Sequence, residues 1–300
     1  MAERDPRPQI CDYEGSNYRT EFWEGKGRDY EDRVERIALR RLLPSEGQRL
    51  LEVGAGFGRL TNEYHRFEQV VLLDYSLSQL QYAQEKLGRS SRYVYVAADA
   101  YHLPFAAHMF DGATMIRVLH HMAQVDAVLA QVRRVLTPGA PFILEHASKR
   151  NLKAIVRYAA GRQSWNPNDP EPVEFVELNF DFHPDHILTA LARAGFAVER
   201  RLPVSYLRVP ALKRWLPAGL LASLDSLLQL TGLLYSPSVF IRCRAVGPAQ
   251  TEPLGELTFI CPECGGALVQ VDDVMLCQQC ARRWAVRDGI YDFKAALDSA

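Results

Sequence analysis

The sequence lacks several features that would direct it to particular partners or compartments. Its first ten residues, MAERDPRPQI, are polar and charged, so they lack the apolar core of a secretory signal peptide. The formal net charge of −1 leaves no overall basic excess of the kind that nucleic-acid-binding proteins use. Internal repeats and low-complexity tracts are also missing. These absences predict a cytoplasmic globular protein and disfavour nucleic acid as its partner.

Cysteine is scarce until the end of the chain. Cys11 and Cys243 stand alone and read as buried apolar side chains, whereas four cysteines fall within residues 261–280. Without a secretion signal, two Cys-x-x-Cys pairs indicate metal binding, or two redox pairs, before structural disulfides. Two such pairs joined by a hairpin suit tetrahedral Zn²⁺, and four thiolates leave no open position for catalysis. The predicted ligands of this structural zinc are Cys261, Cys264, Cys277 and Cys280.

Short apolar segments alternate with helical patterns through the first half of the chain. The predicted strands cover residues 49–54, 69–76, 93–99, 110–121 and 141–147, and the predicted helices cover 29–43, 76–88 and 125–139. This alternation predicts an α/β fold, a Rossmann-like doubly wound sheet with helices on both faces. A helix over 183–196 and strands over 197–204 and 236–246 follow.

The composition also suggests domain boundaries. Residues 1–246 form the predicted α/β domain, with an amino-terminal cap (1–47) and two inserts (148–182 and 205–235) over the ligand face of the sheet. Residues 247–256 are rich in Gly and Pro and are predicted to be a linker. Residues 257–300 form the predicted zinc ribbon. From residue 251 onward the tail holds eight acids against four bases, which makes it a poor phosphate-binding surface.

A glycine loop follows the first predicted strand. In LLEVGAGFGRL, the residues Gly54, Gly56 and Gly58 let the backbone turn tightly and lie close to a ligand. Asp74, at the end of the second strand, is placed to accept the hydroxyls of a ribose. Such a loop serves nicotinamide dinucleotides or S-adenosylmethionine, but the dinucleotide pattern is Gly-x-Gly-x-x-Gly and this loop departs from it.

The segment EVGAGFG resembles the first motif of class I S-adenosylmethionine-dependent methyltransferases. LLDYS, AADAYHLPF, FDGATMIRVLHHM and RRVLTPGAPFILE resemble the blocks that follow in that family, including its quinone-biosynthesis enzymes, and the resemblance covers residues 48–147. It implies a cofactor site for S-adenosylmethionine. The implied contacts are Glu52, Gly54, Ala55, Gly56 and Gly58 for the methionine part, Asp74 for the ribose, Tyr75, Asp99 and Ala100 for the adenine, and Arg117 and Val118 for the sulfonium.

The amino-terminal segment and the strand ends supply further candidate residues. In this family such a segment folds over the cofactor, which makes Tyr18, Trp23 and Arg28 candidates to cover it, with Arg28 pairing its carboxylate. The candidate catalytic residues follow the fourth and fifth strands at the ligand edge, where a histidine suits proton removal near neutral pH: His120, His121, Glu145 and His146. The His-His pair resembles that of quinone and natural-product enzymes and of tRNA wobble-uridine enzymes.

Residues 216–234 form an unusually apolar run, with Asp225 as its only charge. Pro217, Gly219 and Gly232 argue against a transmembrane helix. The favoured interpretation is a helical lid over an apolar acceptor. Packing within the core or an oligomer, and weak interfacial contact with a membrane, remain alternatives.

The end of the chain, RRWAVRDGIYDF, resembles the zinc-ribbon activator subunits of tRNA, rRNA and release-factor methyltransferases. It departs from their pattern at Trp284, Ala285 and Tyr291. The sequence thus predicts an S-adenosylmethionine-dependent methyltransferase acting on oxygen or an activated carbon of a small, largely apolar metabolite, lipid or natural product. The alternatives are a tRNA-modifying methyltransferase with a fused activator-like ribbon, and a non-catalytic binding protein that keeps the cofactor fold.

Overall fold

The structure is a computed structural model that describes residues 8–16, 19–23, 27–248 and 254–297. One sheet of eleven strands runs through it, and helices cover both faces. The sheet strands are β1 (Gly47–Val53), β2 (Phe67–Asp74), β3 (Tyr93–Ala97), β4 (Gly112–Met115), β5 (Pro141–Ala147), β8 (Phe196–Val204), β9 (Ser238–Ala245), β10 (Leu268–Val271), β11 (Val274–Cys277), β12 (Arg283–Arg287) and β13 (Ile290–Asp292). A separate hairpin consists of β6 (Val173–Val176) and β7 (Asn179–Asp181).

In the described part of the chain, seven α-helices accompany the strands. They are α1 (Asp29–Leu42), α2 (Leu77–Leu87), α3 (Val125–Val135), α4 (Leu152–Ala159), α5 (Pro184–Arg193), α6 (Pro210–Trp215) and α7 (Ala218–Leu228). Alternate residues of each strand enter opposite cores, as the period of two requires: Leu51 and Val53 pack with α3 and α5, whereas Leu50 packs with α1 and α7. This three-layer arrangement confirms the Rossmann-like α/β prediction. Within the described residues, none of the helices combines the length and the apolar character that a membrane-spanning segment needs.

The sheet is mixed rather than wholly parallel. Its strand order is β10-β11-β12-β13-β3-β2-β1-β4-β5-β9-β8, and β3, β2, β1, β4 and β5 pair in parallel. The antiparallel strand β9 lies between β5 and β8, so β5 and β8 point the same way. The segments that follow these two strands therefore leave from the same edge of the sheet, which is where ligands bind in this architecture.

Most predicted elements are confirmed, and the differences have local causes. The fourth strand ends at Met115 instead of continuing to residue 121, because Arg117 takes a left-handed φ of 60° and residues 119–121 form a 3₁₀ turn. Residues 148–182, predicted as an insert over the ligand face, contain α4 and the β6–β7 hairpin. Helix α4 begins at Asn151, whose side chain accepts a hydrogen bond from the Ala154 N–H at 2.9 Å.

The carboxyl-terminal strands extend the central sheet. β13 pairs in parallel with β3, and the N–H of Phe293 donates to the carbonyl of Ala97 at 2.7 Å. Phe259 packs against Phe105 of the preceding α/β unit and against Phe293, with ring centroids 5.6 and 5.3 Å apart. The cysteine-bearing tail therefore shares both hydrogen bonds and hydrophobic core with the rest of the protein.

Helix α7 packs on α1 through a buried polar anchor. The carboxylate of Asp225 accepts from the Tyr30 hydroxyl at 2.7 Å and from the Tyr206 N–H at 2.8 Å. Asp225 is buried, and the two donors replace the water that its carboxylate loses on burial. This structural role explains why one acid stands in an otherwise apolar run. The opposite face of α7, with Leu220, Leu224 and Leu227, is exposed and does not point toward the interior.

Candidate functional site

The glycine loop leaves the end of β1 and turns back beneath the sheet edge. Gly54 and Gly56 have positive φ values of 70° and 52°. A Cβ added to Gly54 would lie 2.0 Å from Cγ2 of Val118, whereas one added to Gly56 would meet nothing within 4 Å. Gly54 is therefore required for packing, and the open space at Gly56 is a surface on which a ligand can lie.

Asp74, at the end of β2, faces this loop. Its two carboxylate oxygens accept the backbone N–H groups of Gly56 and Ser76 at 2.7 and 2.9 Å. A carboxylate offers about four acceptor positions, so each oxygen retains one for a second donor. The side chain is thus oriented by the backbone and can still bind a pair of hydroxyls.

An open cavity of about 770 Å³, counting its mouth, lies at this edge. Many predicted cofactor contacts line it together, namely Gly54, Gly56, Asp74, Tyr75, Asp99, Ala100, Arg117 and Val118. Cys11, predicted to be a buried apolar residue, is half-buried on its wall. Cys243 is buried, as expected.

A smaller adjoining cavity of about 460 Å³ extends toward α1 and shares Gly54, Gly56 and Arg117 with the first. Glu52 and Ala55 line it, as does Trp23. The Glu52 carboxylate accepts from the Thr61 hydroxyl at 2.6 Å, and burial raises its pKa to about 7. A buried carboxyl group next to a loop that can carry a ligand is a suitable partner for a cationic amine.

Arg59 and Arg117 line the smaller cavity, and both form ion pairs with α1. Glu35 is buried and pairs with Arg59 at 2.7 Å and with Arg117. The guanidinium carbons of Arg59 and Arg117 lie 3.7 and 5.2 Å from the ring centroid of Trp23. Neither Arg59 nor Glu35 was predicted from the sequence, although Arg59 directly follows the glycine loop and Glu35 lies in the predicted helix over residues 29–43.

Other predicted contacts lie further from the cavities. The Arg28 guanidinium carbon lies 5.6 Å from the Trp23 ring centroid, and neither Arg28 nor Gly58 is among the described residues that line the two cavities. A Cβ on Gly58 would approach Leu87 of α2 at 3.1 Å, which makes this glycine a packing residue. Asp99 accepts from the Tyr101 N–H at 2.8 Å and pairs with His102. Tyr18 lies outside the described residues.

The paired histidines follow β4 and have different surroundings. Nδ1 of His121 donates to the Leu178 carbonyl at 2.9 Å, and its Nε2 therefore accepts from the Tyr13 hydroxyl at 3.1 Å. Burial, with His121, Arg117 and Arg208 nearby, holds the pKa of His120 well below its usual range. His121 lines the larger cavity, and its two nitrogens are engaged by protein. His120 is neutral near pH 7, and none of the described residues forms a hydrogen bond with it.

Glu145 and His146 lie beneath the surface of the site. Glu145 accepts from the Arg117 N–H at 2.9 Å and from the Ser238 hydroxyl at 2.6 Å, which orients the backbone at Arg117. His146 is completely buried in β5, and burial lowers its pKa to about 4. This burial argues against the predicted direct role of His146 and leaves Glu145 in a supporting position.

A third cavity of about 1510 Å³, counting its wide mouth, lies between the two inserts. Trp165, Asp181, Tyr206 and Arg208 are among its lining residues. Burial and the nearby Glu145 raise the pKa of Asp181 to about 6, against the opposing effects of Arg208 and Lys149. His121, which lines the larger cavity, donates to the Leu178 carbonyl, and Asp181 of the same hairpin lines the third cavity, so the turn that bears the two histidines connects the walls of the two spaces.

The four cysteines of the tail come together at the base of the β10–β11 hairpin. Their sulfur atoms all lie within 4.8 Å of one another, and the Cys264–Cys277 and Cys261–Cys280 pairs are 3.5 and 3.8 Å apart. A tetrahedral zinc site with Zn–S bonds of about 2.3 Å needs sulfur separations of about 3.8 Å. The donor set and its spacing therefore fit Zn²⁺.

The comparisons with known proteins agree with this geometry. A family model described as "Methyltransferase domain" matches residues 51–144. The Saccharophagus degradans ubiquinone/menaquinone biosynthesis C-methyltransferase UbiE is 31% identical over 170 residues, which cover 50% of this chain and 68% of that protein. The Pseudomonas paraeruginosa enzyme of the same name is 30% identical over 167 residues, 50% of this chain, and the match spans only 65% of its length.

The fold agrees with the sequence relationship. The crystal structure of an S-adenosylmethionine-dependent methyltransferase from Mesorhizobium loti aligns with a TM-score of 0.52 at 25% identity, covering 70% of this chain and 97% of that one. The matched segment contains the glycine loop, Asp74 and Asp99, which together line the larger cavity. The chain therefore belongs to the class I S-adenosylmethionine-dependent methyltransferases.

Proposed function

We propose that this protein methylates a small, largely apolar acceptor, either a lipid or another metabolite, on carbon or oxygen. The observation that carries the proposal is the pair of cavities that the histidine turn connects: one is lined by the family's cofactor motifs, and the other combines aromatic and apolar side chains with a few charged ones, Asp181 among them. The UbiE relatives are named C-methyltransferases, which favours carbon over oxygen as the acceptor atom.

The proposed cofactor position spans the first two cavities, the larger one and the smaller one that adjoins it. Asp74 would hold the ribose hydroxyls, and Tyr75 with Asp99 would border the adenine in the larger cavity. The methionine end would lie over Gly56 toward the smaller cavity, where Glu52 would accept from the amine and Arg59 would face the carboxylate. The acceptor positions that remain on Asp74 and the open space at Gly56 support this placement.

S-adenosylmethionine, when bound, supplies an electrophilic methyl group on a sulfonium. The residues of this chain then have to align an acceptor with that methyl group and remove a proton where the acceptor carries one. The Asp181 carboxyl, with its pKa raised to about 6, can accept a proton near neutral pH, whereas the lowered pKa of His120 makes it the weaker base of the two. His121, fixed by Leu178 and Tyr13, would hold the turn that positions His120.

The tail is proposed to be a structural zinc ribbon over residues 257–300, connected by residues 247–256 to the catalytic domain. Four cysteine ligands close the coordination sphere, so this zinc would stabilise and not react. The proposed role of this zinc is to stabilise the pairing of β13 with β3. The ribbon also touches the cofactor wall, since the Lys294 ammonium lies 5.5 Å from the Tyr75 ring centroid.

The first test is calorimetric titration of the purified protein with S-adenosylmethionine, comparing Asp74→Asn with the control Asp126→Asn. Asp126 is an exposed acid in an ion pair with Arg193, remote from the loop. Hydrogen bonds to a charged group contribute about 1.5–3 kcal/mol each, so Asp74→Asn should weaken binding by roughly 10–100-fold and Asp126→Asn should not. Absence of binding at about 1 mM cofactor would indicate a non-catalytic protein.

The second test identifies the acceptor class. The protein is incubated with radiolabelled S-adenosylmethionine and, in separate reactions, with lipid extract, small polar metabolites or total tRNA. Label in the lipid or apolar fraction supports the proposal. Label only in tRNA, together with salt-sensitive tRNA binding, would instead establish the tRNA-modifying alternative that the His-His pair and the ribbon suggest.

A further inference from the structure

The two segments that border the third cavity expose an unusual number of apolar side chains. On α7, Leu220, Leu224 and Leu227 are 48, 44 and 64% exposed. Their spacing of four and three residues puts them on one face of the helix. The opposite face is fixed against α1 by Asp225, so the exposed stripe cannot turn inward without breaking that anchor.

The apolar surface continues on both sides of this helix. Trp215 at the end of α6 is 78% exposed, and Leu230 and Leu233 after α7 are 58 and 57% exposed. On α4, Leu152 and Val156 are also largely exposed and line the cavity mouth. We call this set the apolar rim: Leu152, Val156, Val209, Trp215, Leu220, Leu224, Leu227, Leu230 and Leu233.

Contacts at Tyr235 join the two parts of the apolar rim, which lie on α4 and on the α6–α7 segment. The N–H of Leu152 donates to the carbonyl of Tyr235 at 2.8 Å, and the Arg150 guanidinium lies 5.4 Å from the Tyr235 ring centroid. Val209 and Tyr235, the two ends of the α6–α7 segment, both line the third cavity. Three residues of the apolar rim, Leu152, Val156 and Val209, therefore line the cavity that we assign to the acceptor, and the rest of the rim follows Val209 along the chain.

The helices that carry the apolar rim have mostly basic side chains. Residues 148–162 contain five Lys or Arg and no acid, and residues 205–235 contain three Lys or Arg and only Asp225, which is buried. The acids of the 148–182 insert all follow in residues 163–182, and Arg208 and Lys213 pair with Glu31 of α1. Lys153, Arg157 and Arg214 are exposed, and no described acid forms an ion pair with them, so these three side chains are the basic border of the apolar rim.

We infer that the apolar rim and its basic border are a docking face for an anionic phospholipid bilayer. Apolar side chains at helical spacing would enter the boundary between headgroups and acyl chains, and the basic side chains would contact lipid phosphates. A second copy of this chain is a poorer occupant, because pairing two such faces would bring their unpaired cations together. Docked in this way, the third cavity would open toward the bilayer.

The test is sedimentation of the full chain with vesicles, which needs neither cofactor nor acceptor and so does not depend on the proposed function. Vesicles of phosphatidylcholine with phosphatidylserine are compared with vesicles of phosphatidylcholine alone. We expect binding to the anionic vesicles, weakened about fivefold by Leu227→Gln through the loss of inserted apolar area. The matched control is Leu297→Gln, since Leu297 is an exposed leucine (47%) in the ribbon, and it should bind as the unmodified protein does.

The basic border has its own variant. Lys153→Glu/Arg157→Glu reverses two exposed charges and should reduce binding to anionic vesicles by about tenfold or more. Thermal melting of each variant confirms that it is folded. Equal binding to both vesicle types, or equal losses for Leu227→Gln and Leu297→Gln, would refute the inference. A Leu227-dependent dimer in sedimentation velocity, without vesicle binding, would refute it too and assign the face to a second copy.

Discussion

Replacing Gly54 by alanine perturbs the position of the glycine loop where an added Cβ would lie closest to a neighbouring side chain and where the backbone conformation also favours glycine. The φ of 70° is left-handed, which costs an alanine about 1–2 kcal/mol. Its Cβ would also lie 2.0 Å from Cγ2 of Val118, and such overpacking costs about 1–3 kcal/mol when the neighbours must shift. Gly54→Ala should therefore lower the free energy of unfolding by about 2–5 kcal/mol.

Two further variants separate these contributions. Gly54→Ala/Val118→Ala removes the methyl group that clashes, so it should melt above Gly54→Ala even though Val118→Ala alone removes buried volume. Gly56→Ala has a φ of 52° but no neighbour within 4 Å of its Cβ, so only the conformational cost of about 1–2 kcal/mol applies. Its larger effect should be on cofactor affinity, because the added methyl group enters the space proposed for the ligand.

Differential scanning calorimetry with and without S-adenosylmethionine is the assay. A domain of this size changes its melting temperature by about 2 °C per kcal/mol, so Gly54→Ala should melt roughly 4–10 °C below the unmodified protein. Cofactor should stabilise Gly56→Ala less than the unmodified protein. If Gly54→Ala and Gly56→Ala melted together, or if Val118→Ala failed to relieve Gly54→Ala, the packing argument would be wrong.

Two other predictions concern the metal and the buried acid. We expect about one equivalent of zinc by atomic emission in the unmodified protein and none in Cys264→Ser, which should also lower the melting temperature of the whole chain, because β13 is hydrogen-bonded to β3. Cys11→Ser should bind zinc as the unmodified protein does, and loss of turnover with unchanged melting would instead indicate a catalytic zinc. Glu52, whose pKa rises from 4.5 to about 7 on burial, holds its proton more tightly in the folded protein, so its contribution to stability falls as pH rises between those values. Glu52→Gln, neutral throughout, should thus gain roughly 3 kcal/mol over the unmodified protein in urea unfolding between pH 4.5 and pH 8, and a difference independent of pH would contradict the shift.

Local sequence patterns were sufficient to predict the features that depend on residues close together in the chain. Apolar periodicity identified α1, α2, α3 and the parallel strands, since each buries one face or both at a fixed period. Ser76 and Gly88 lie at the two ends of α2, where capping favours particular residue types, and the Ser76 hydroxyl accepts from the Gln79 N–H at 3.3 Å. The cysteine spacing likewise indicated a four-sulfur site before any distance was known.

Long-range contacts set what the sequence did not reveal. Glu35 has no special context in its helix, yet folding places it between Arg59 and Arg117, which are 24 and 82 residues away. Asp181 acquires a raised pKa because Glu145 and a buried environment surround it, and neither is visible from its neighbours in sequence. The catalytic candidates could be named by strand position alone, but their exposure could not, and this separates His121 from the buried His146.

The sequence by itself determined the fold class, the glycine loop with its acidic partner, and the set of four cysteines. These depend on residue type and on spacing along the chain, and both can be read from the sequence alone. Only the tertiary structure decided that the ribbon continues the central sheet, that α7 is anchored through Asp225 with its leucines outward, and that an arginine pair covers the loop. Those features depend on which surfaces meet when the chain folds, and pairing between distant segments is set by the burial and hydrogen bonding of the whole molecule.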